Sequence, residues 1–129
     1  MIKSTTLLFG LSAIMLAVFH YLFLELHLYW LYLWLDIPVH FLGGVTVALG
    51  FLTFLGFFPK LVDKHFTLFR TLAFVLLVAS AWEIFEVYIG IPFEEGNYVG
   101  DTVLDLIMGM SGGLAGYFVG RRVSQLDYE

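Results

Sequence analysis

Residues 36–58 read DIPVHFLGGVTVALGFLTFLGFF, a stretch whose two ionisable side chains, Asp36 and His40, both lie at its start. The part from residue 38 to residue 58 matches the ~20 residues that an α-helix needs to cross a hydrocarbon core of ~30 Å. Its apolar side chains form a continuous run, whereas a membrane β-strand would alternate. The stretch therefore predicts a transmembrane helix with an aspartate and a histidine at one end.

Three further stretches have a similar length and apolar character: residues 5–24, 71–91 and 102–120. The composition agrees, because 60% of the 129 residues are hydrophobic and only 13% are charged, against roughly half and a quarter in a soluble domain. We predict one all-α integral membrane domain over residues 1–129, a four-helix transmembrane bundle of up-down-up-down topology. The first stretch lacks a clear small-residue cleavage motif, so we interpret it as a retained span.

The basic residues predict the orientation of the bundle. They precede the first predicted span, separate the second from the third, or follow the fourth, and the connections 25–37 and 92–101 contain none. The positive-inside rule then places both termini in the cytoplasm of a bacterial inner membrane. Most of the eleven carboxylates fall at or near the outer side. The net charge of −5 is thus concentrated outside, where it would attract cations.

Two of the other spans also carry acids at helical spacing. Glu83 and Glu86 lie in WEIFE, and Asp101 and Asp105 lie in DTVLDL. Residues three or four apart share a helix face, and ionisable groups inside a membrane span are functional candidates by default. A rise of ~1.5 Å per residue brings the groups on all four spans to one layer near the outer side. The members of this layer are His20, His40, Glu83, Glu86, Asp101 and Asp105.

We predict that this layer binds a divalent cation. Carboxylates and imidazoles in a chain without cysteine suit Mg²⁺, Mn²⁺, Zn²⁺ or Fe²⁺ better than copper(I). The predicted metal ligands are His40, Glu83, Glu86, Asp101 and Asp105. The residues expected to support these ligands are His20, Asp36 and Ser80. The sequence identifies no catalytic residue.

Some of these residues also have a structural interpretation. Asp36 and Asp101 stand where an N-cap is expected, and His40 could hydrogen-bond to Asp36 in the preceding turn. Three functions stay open: a metal-assisted enzyme on a lipid-linked or envelope substrate, an ion-binding or transport protein or proton relay, and a structural partner of another membrane protein. Membrane lipid is the predicted partner; the sequence has no nucleic-acid-binding signature and leaves the oligomeric state open.

Glycines and aromatic residues predict how the helices are arranged. A ridge of small residues continues the face of Asp105 through Gly109, Gly112, Gly116 and Gly120. Such ridges let membrane helices pack closely, although the glycines could serve packing alone. The aromatic-rich residues 26–35 are too few to span, so they predict a short interfacial segment on the outer side.

Three motifs on successive spans resemble those of the VanZ-like and YjdF-like small bacterial membrane proteins. They are HFLGG after Asp36, WEIFE at residues 82–86, and DTVLDL at residues 101–106 followed by a glycine-rich tail. The resemblance covers residues 36–120. It implies a multi-span bacterial membrane protein of mostly unassigned biochemistry. The motifs of these proteins correspond to Asp36 and His40, to Glu83 or Glu86, and to Asp105 in this sequence.

Overall fold

The computed structural model describes residues 3–58, 67–90 and 98–126. Within these ranges, four long helices are apolar enough to cross a membrane: α1 (Ser4–Glu25), α3 (Asp36–Phe57), α4 (Thr67–Ile89) and α5 (Tyr98–Leu126). A short helix, α2 (Leu28–Leu31), and a 3-10 turn (Leu33–Leu35) connect α1 to α3. The prediction of an all-α bundle with four membrane helices is confirmed.

Two helix starts differ from the N-cap interpretation. The N-cap of α3 is Leu35, so Asp36 lies in the first helical turn, directly after the 3-10 turn. Asp101 is likewise inside α5, in its first turn, because that helix begins at Tyr98. The N-cap interpretation is therefore wrong for both aspartates. A carboxylate in a first turn is still stabilised by the helix dipole. Of the predicted outer connection at residues 92–101, residues 98–101 belong to α5 instead, and residues 92–97 lie outside the described residues.

Glycines bring α3 and α5 into backbone contact. A Cβ added at Gly112 would overlap the carbonyl oxygen of Phe41, and one at Gly44 would overlap the carbonyl oxygen of Gly109. The two helices run parallel, because the residue numbers of the paired positions increase together along α3 and α5. These positions are Phe41 with Gly112, Val45 with Gly116, and Leu52 with Gly120. The predicted approach of these two spans through their small residues is confirmed.

Helix α4 runs antiparallel to α5 and meets the same glycine face. The paired positions are Val75 with Gly113 and Ala79 with Gly109. One turn further toward the end of the bundle where α3 begins, which we call the outer end after the predicted orientation, this register brings Glu83 of α4 level with Asp105 of α5. Acids from two helices that run in opposite directions therefore reach one depth.

Helix α1 is antiparallel to α3. The paired positions are Lys3 with Gly56, whose carbonyl oxygen accepts a hydrogen bond of 3.1 Å from the lysine, and Phe9 with Gly50. Continued outward, this register places His20 level with His40. The first helix thus delivers a second histidine to the layer of acids.

The aromatic segment between α1 and α3 is a separate element, as predicted. The chain leaves α1 through His27, whose φ of 55° lies in the left-handed region that few residues other than glycine adopt. Trp30 and Trp34 are exposed, while Tyr29 turns back onto α1 and shares a hydrogen bond of 2.9 Å with His20. The segment therefore stands over the outer end of the bundle instead of extending α1. Its place at the membrane interface stays a prediction.

Candidate metal centre

His40 is the centre of the acidic layer. Its Nε2 lies 3.4 Å from a carboxylate oxygen of Asp36, one turn earlier on α3, and its Nδ1 lies 3.7 Å from a carboxylate oxygen of Glu83 on α4. Only 8% of the residue is exposed. Both ring nitrogens of a buried imidazole are thus directed at acids from different helices.

Two groups of potential metal ligands share this histidine. One contains Asp36, His40 and Asp105, and the other contains His40, Glu83 and Glu86. Within each group, one ligand atom per residue lies within 4.8 Å of the others. Donors that bind one zinc ion at ~2.1 Å are at most ~4.2 Å apart. Small side-chain adjustments would therefore bring either group to coordination distance.

Three of the four acids in these groups are buried, with few positive charges to balance them. Glu83 is 5% exposed, Glu86 8% and Asp105 3%. Within the described ranges, every lysine and arginine lies at the opposite end of the bundle, near the starts of α1 and α4 or the end of α5. Buried charges are stable when they are paired or bind a metal. The layer has an excess of acids over histidines and fits a cation.

One carboxylate oxygen is left without a hydrogen bond. Among the described residues, neither the buried Oε1 of Glu83 nor the buried hydroxyl of Thr102 on α5 has a hydrogen bond of good geometry, although the Thr102 side chain lies close enough to act on the Glu83 carboxylate. A buried polar atom without a partner costs about 1–3 kcal/mol, and an ion is one of the recognised explanations for such an atom. Glu83 therefore points to a ligand beside His40.

The other predicted site residues lie around these two groups. Asp101 is half-buried one turn before Asp105 and acts electrostatically on it and on Glu83, but it belongs to neither ligand group. Ser80 is half-buried on α4, one turn from Glu83 toward the inner end. Asp36, expected only as a supporting residue, belongs with His40 and Asp105 to one of the two ligand groups. Its spacing of four residues from His40 on one helix face was the signal for that contact.

Tyr29 was not predicted to belong to this layer. Burial raises the pKa of its phenol, and the neighbouring carboxylates of Asp36 and Glu86 raise it further. The hydroxyl therefore stays protonated and is available to His20, whose ring also contacts Trp82 edge-on at 5.6 Å between centroids. No periodic pattern links Tyr29 to His20, because a turn of the chain separates them. The aromatic composition of the segment was the only sequence signal.

The fold and the layer define a polytopic membrane protein with ionisable groups gathered between its helices. Residues 3–125 match the model of a family described as "Predicted membrane protein (DUF2238)". The match covers nearly the whole chain, which therefore belongs to this family. No curated protein and no solved structure matches the chain. The family description supports a membrane location, so any functional argument depends on the site itself.

Proposed function

We propose that the protein binds a divalent cation in the outer layer of the membrane and uses it on a lipid-linked substrate. The observation that carries this proposal is the buried, unsatisfied oxygen of Glu83, which faces His40. A divalent cation would satisfy this oxygen and would offset the repulsion between neighbouring carboxylates. It would also reduce the cost of burying them.

The group of His40, Glu83 and Glu86 is the better of the two ion sites. All three residues are buried, whereas Asp36 in the other group is partly exposed. A neutral imidazole offers a lone pair from one nitrogen only. With Nδ1 binding the ion, the Nε2–H would donate to Asp36, the carboxylate–histidine–metal arrangement found in many metal sites. Asp36 would then orient His40, which is the supporting role expected from the sequence.

The ligand set restricts the choice of metal. Two carboxylates and one imidazole favour Mn²⁺, Fe²⁺, Zn²⁺ or Mg²⁺. Asp105 and Asp101, the remaining predicted ligands, approach the layer from α5 and could join the coordination sphere after side-chain rotation. A metal-bound water at this level would be able to attack a phosphate or ester attached to a lipid.

Transport is the less favoured function. Between the acidic layer and the basic residues near the inner ends of the helices, the described parts of the spans carry one ionisable side chain, the phenol of Tyr117 on α5. The buried hydroxyls of Thr46 and Thr71 donate to carbonyl oxygens of their own helices, of Leu42 and Thr67, both at 2.8 Å. These two hydroxyls satisfy their own helices; among the described residues, the buried hydroxyl of Thr53, further inward on α3, has no hydrogen bond.

The proposal includes the bacterial inner membrane as the location, with both termini in the cytoplasm. The support is the segregation of the basic residues to one side of the four spans. It also includes the likeness to VanZ-like and YjdF-like proteins, which depends on the motifs at residues 36–44, 82–86 and 101–106. Reporter fusions at each terminus test the orientation, since a periplasmic signal from either would contradict it.

Metal analysis of the purified protein tests the cation site. We expect a stoichiometric divalent metal, or saturable Mn²⁺ binding, in protein prepared in detergent without chelator. Glu83→Gln keeps the shape of the side chain but removes its charge, and should lower the affinity by at least about tenfold to a hundredfold, the loss seen even for outer-shell partners. Glu25→Gln, at the exposed outer end of α1, is the matched control and should bind normally. Wild-type protein that is free of metal and binds no added cation would contradict the proposal.

A further inference from the structure

A cavity of about 350 Å³ adjoins the acidic layer at His40. Its lining is almost entirely apolar, and its volume lies within the ~300–1,000 Å³ of ligand pockets. His20 and His40 line its outer end, and the hydroxyl of Thr46 deeper in the cavity donates to its own helix. The cavity therefore joins the proposed cation site at His40 and is apolar below it.

The cavity is elongated along the helices. Its lining residues fall within residues 13–20 of α1, 39–47 of α3 and 75–82 of α4, and Gly109 of α5 completes the lining. Seven residues of helix correspond to ~10 Å of depth. The outer ends of these segments hold His20, His40 and Trp82, and the inner ends hold aliphatic side chains. A ligand that fits this shape has one polar end and a narrow apolar body.

The cavity is partly enclosed, and α1 and α4 are two of its lining helices that leave a gap. These two helices contact α3 from different sides but do not pack closely on each other over their described residues. Where they do approach, the rings of His20 and Trp82 meet and close the outer end. In a membrane, this gap between α1 and α4 would face lipid.

The absence of a side chain at Gly43 keeps part of this space open. Gly43 lines the cavity, and a Cβ added there would meet no atom within 4 Å. Buried water needs two to four polar partners, which these walls do not offer below the histidines. An apolar occupant is the better match.

We propose that the cavity holds the hydrocarbon chain of a membrane lipid, with the polar group of that lipid beside His40. The position of the polar group rests on the proposed cation site, because a bound cation would attract a phosphate or ester oxygen. The chain site rests on the apolar walls, the ~10 Å depth of the cavity and the gap between α1 and α4. Together they assign a lipid with an extended chain as the substrate class.

Photolabelling tests the chain site. The protein is reconstituted in vesicles that contain a phospholipid with a diazirine on its acyl chain, and the labelled peptides are mapped by mass spectrometry. We expect label inside the cavity, at residues 13–17 and 43–47. Gly43→Leu fills the cavity and should reduce this label by about tenfold, since each methylene kept out of an apolar site forfeits a factor of about four in binding.

Gly10→Leu is the matched control. Gly10 is also a glycine inside a membrane helix where an added Cβ meets nothing, but it does not line the cavity. It should leave the interior label unchanged. Ala17→Phe fills the same space from α1 and serves if Gly43→Leu does not fold. Interior label that is equal in wild type, both filling variants and the control would overturn the proposal.

Metal content, measured on the same samples, separates this proposal from the cation site. Gly43→Leu should keep the metal of the wild type, because Gly43 is not a ligand. If metal is present but the interior label is the same in wild type and Gly43→Leu, the chain site alone is refuted. If the protein holds no metal but Gly43→Leu lowers the interior label, the cation site is refuted and the chain site is supported.

Discussion

Gly43 and Gly44 are neighbours in the chain, yet they face two different regions of the bundle. Gly44 belongs to the contact between α3 and α5, where an added Cβ would overlap the backbone of Gly109. Gly43 faces the cavity, where an added Cβ would touch nothing within 4 Å. The lack of a side chain at Gly44 lets α3 and α5 meet, whereas the lack of one at Gly43 leaves a space.

The difference shows that the neighbouring helix decides what a small residue does. Helix α5 presents glycines to Gly44, so the two backbones approach and bring Asp105 to the level of His40. Helix α1 lies on the other side of α3 and is separated from α4 by the cavity. The α3–α5 contact therefore positions the acids, whereas the cavity offers room beside them. His40 belongs to both regions.

The largest effect is expected in the α3–α5 contact. Gly112→Ala would place a methyl group on the carbonyl oxygen of Phe41, and a backbone atom cannot rotate away. We expect a loss of about 3 kcal/mol or more in the free energy of unfolding, at or beyond the upper end for overpacked sites. Unfolding in mixed detergent micelles measures it. Gly10→Ala, where the methyl group meets nothing, should not destabilise; equal stability of the two variants would break the comparison.

The next effect concerns the ion that the acids are proposed to hold. A ligand at a hundred times its dissociation constant stabilises the folded state by about 2.7 kcal/mol. Chelation should lower the melting temperature of the wild type in detergent, and Mn²⁺ or Zn²⁺ should restore it. Asp105→Asn should weaken this response, while Glu25→Gln, exposed at the end of α1, should retain it. If the acids are instead protonated and hydrogen-bonded, the chelator will leave the melting temperature unchanged and Asp105→Asn will be tolerated.

Much of the α3–α5 region could be predicted from the sequence. Its helices follow from long apolar stretches, and its contact follows from glycines spaced three or four residues apart on one face. The acids occur at helical spacing, so their shared depth followed from counting residues along four spans. Depth alone does not say which groups touch. The central role of His40 between Asp36 and Glu83 required the rotation of each helix, which an almost uniformly apolar sequence does not specify.

The cavity region could not be predicted. A cavity is a property of distances between helices, and the small residues that line it, such as Ala17 and Gly43, look the same in sequence as residues that make close contacts. The hydrogen bond between Tyr29 and His20 depends on the turn at His27. Helices α3 and α5 begin earlier than predicted, so Asp36 and Asp101 are not N-caps. These starts likewise depend on the residues that precede them.

A smaller effect, of opposite sign, is expected at the cavity. Gly43→Ala adds a methyl group without a clash and replaces glycine by a better helix former. We expect the free energy of unfolding to rise by about 0.4–1 kcal/mol. The same micelle unfolding experiment, run beside Gly44→Ala, compares two neighbouring positions with one chemical change. Equal destabilisation at both would show that Gly43 is packed as tightly as Gly44.

The smallest effect concerns the outer end of the cavity, where Tyr29 holds His20. Tyr29→Phe removes one half-buried hydrogen bond and should lower the free energy of unfolding by about 0.5 kcal/mol, the lower end for such bonds.

The same variant also changes the response of the protein to pH. Because burial raises the pKa of the Tyr29 phenol, the folded protein keeps this proton above pH ~10, where an unfolded chain releases it. The folded state then binds more protons than the unfolded state, so stability falls as pH rises. In Tyr29→Phe this fall should be shallower between pH ~9 and ~11, and the difference from wild type should shrink as pH increases. Parallel curves for the two proteins would mean that Tyr29 is solvated and does not close the cavity over His20.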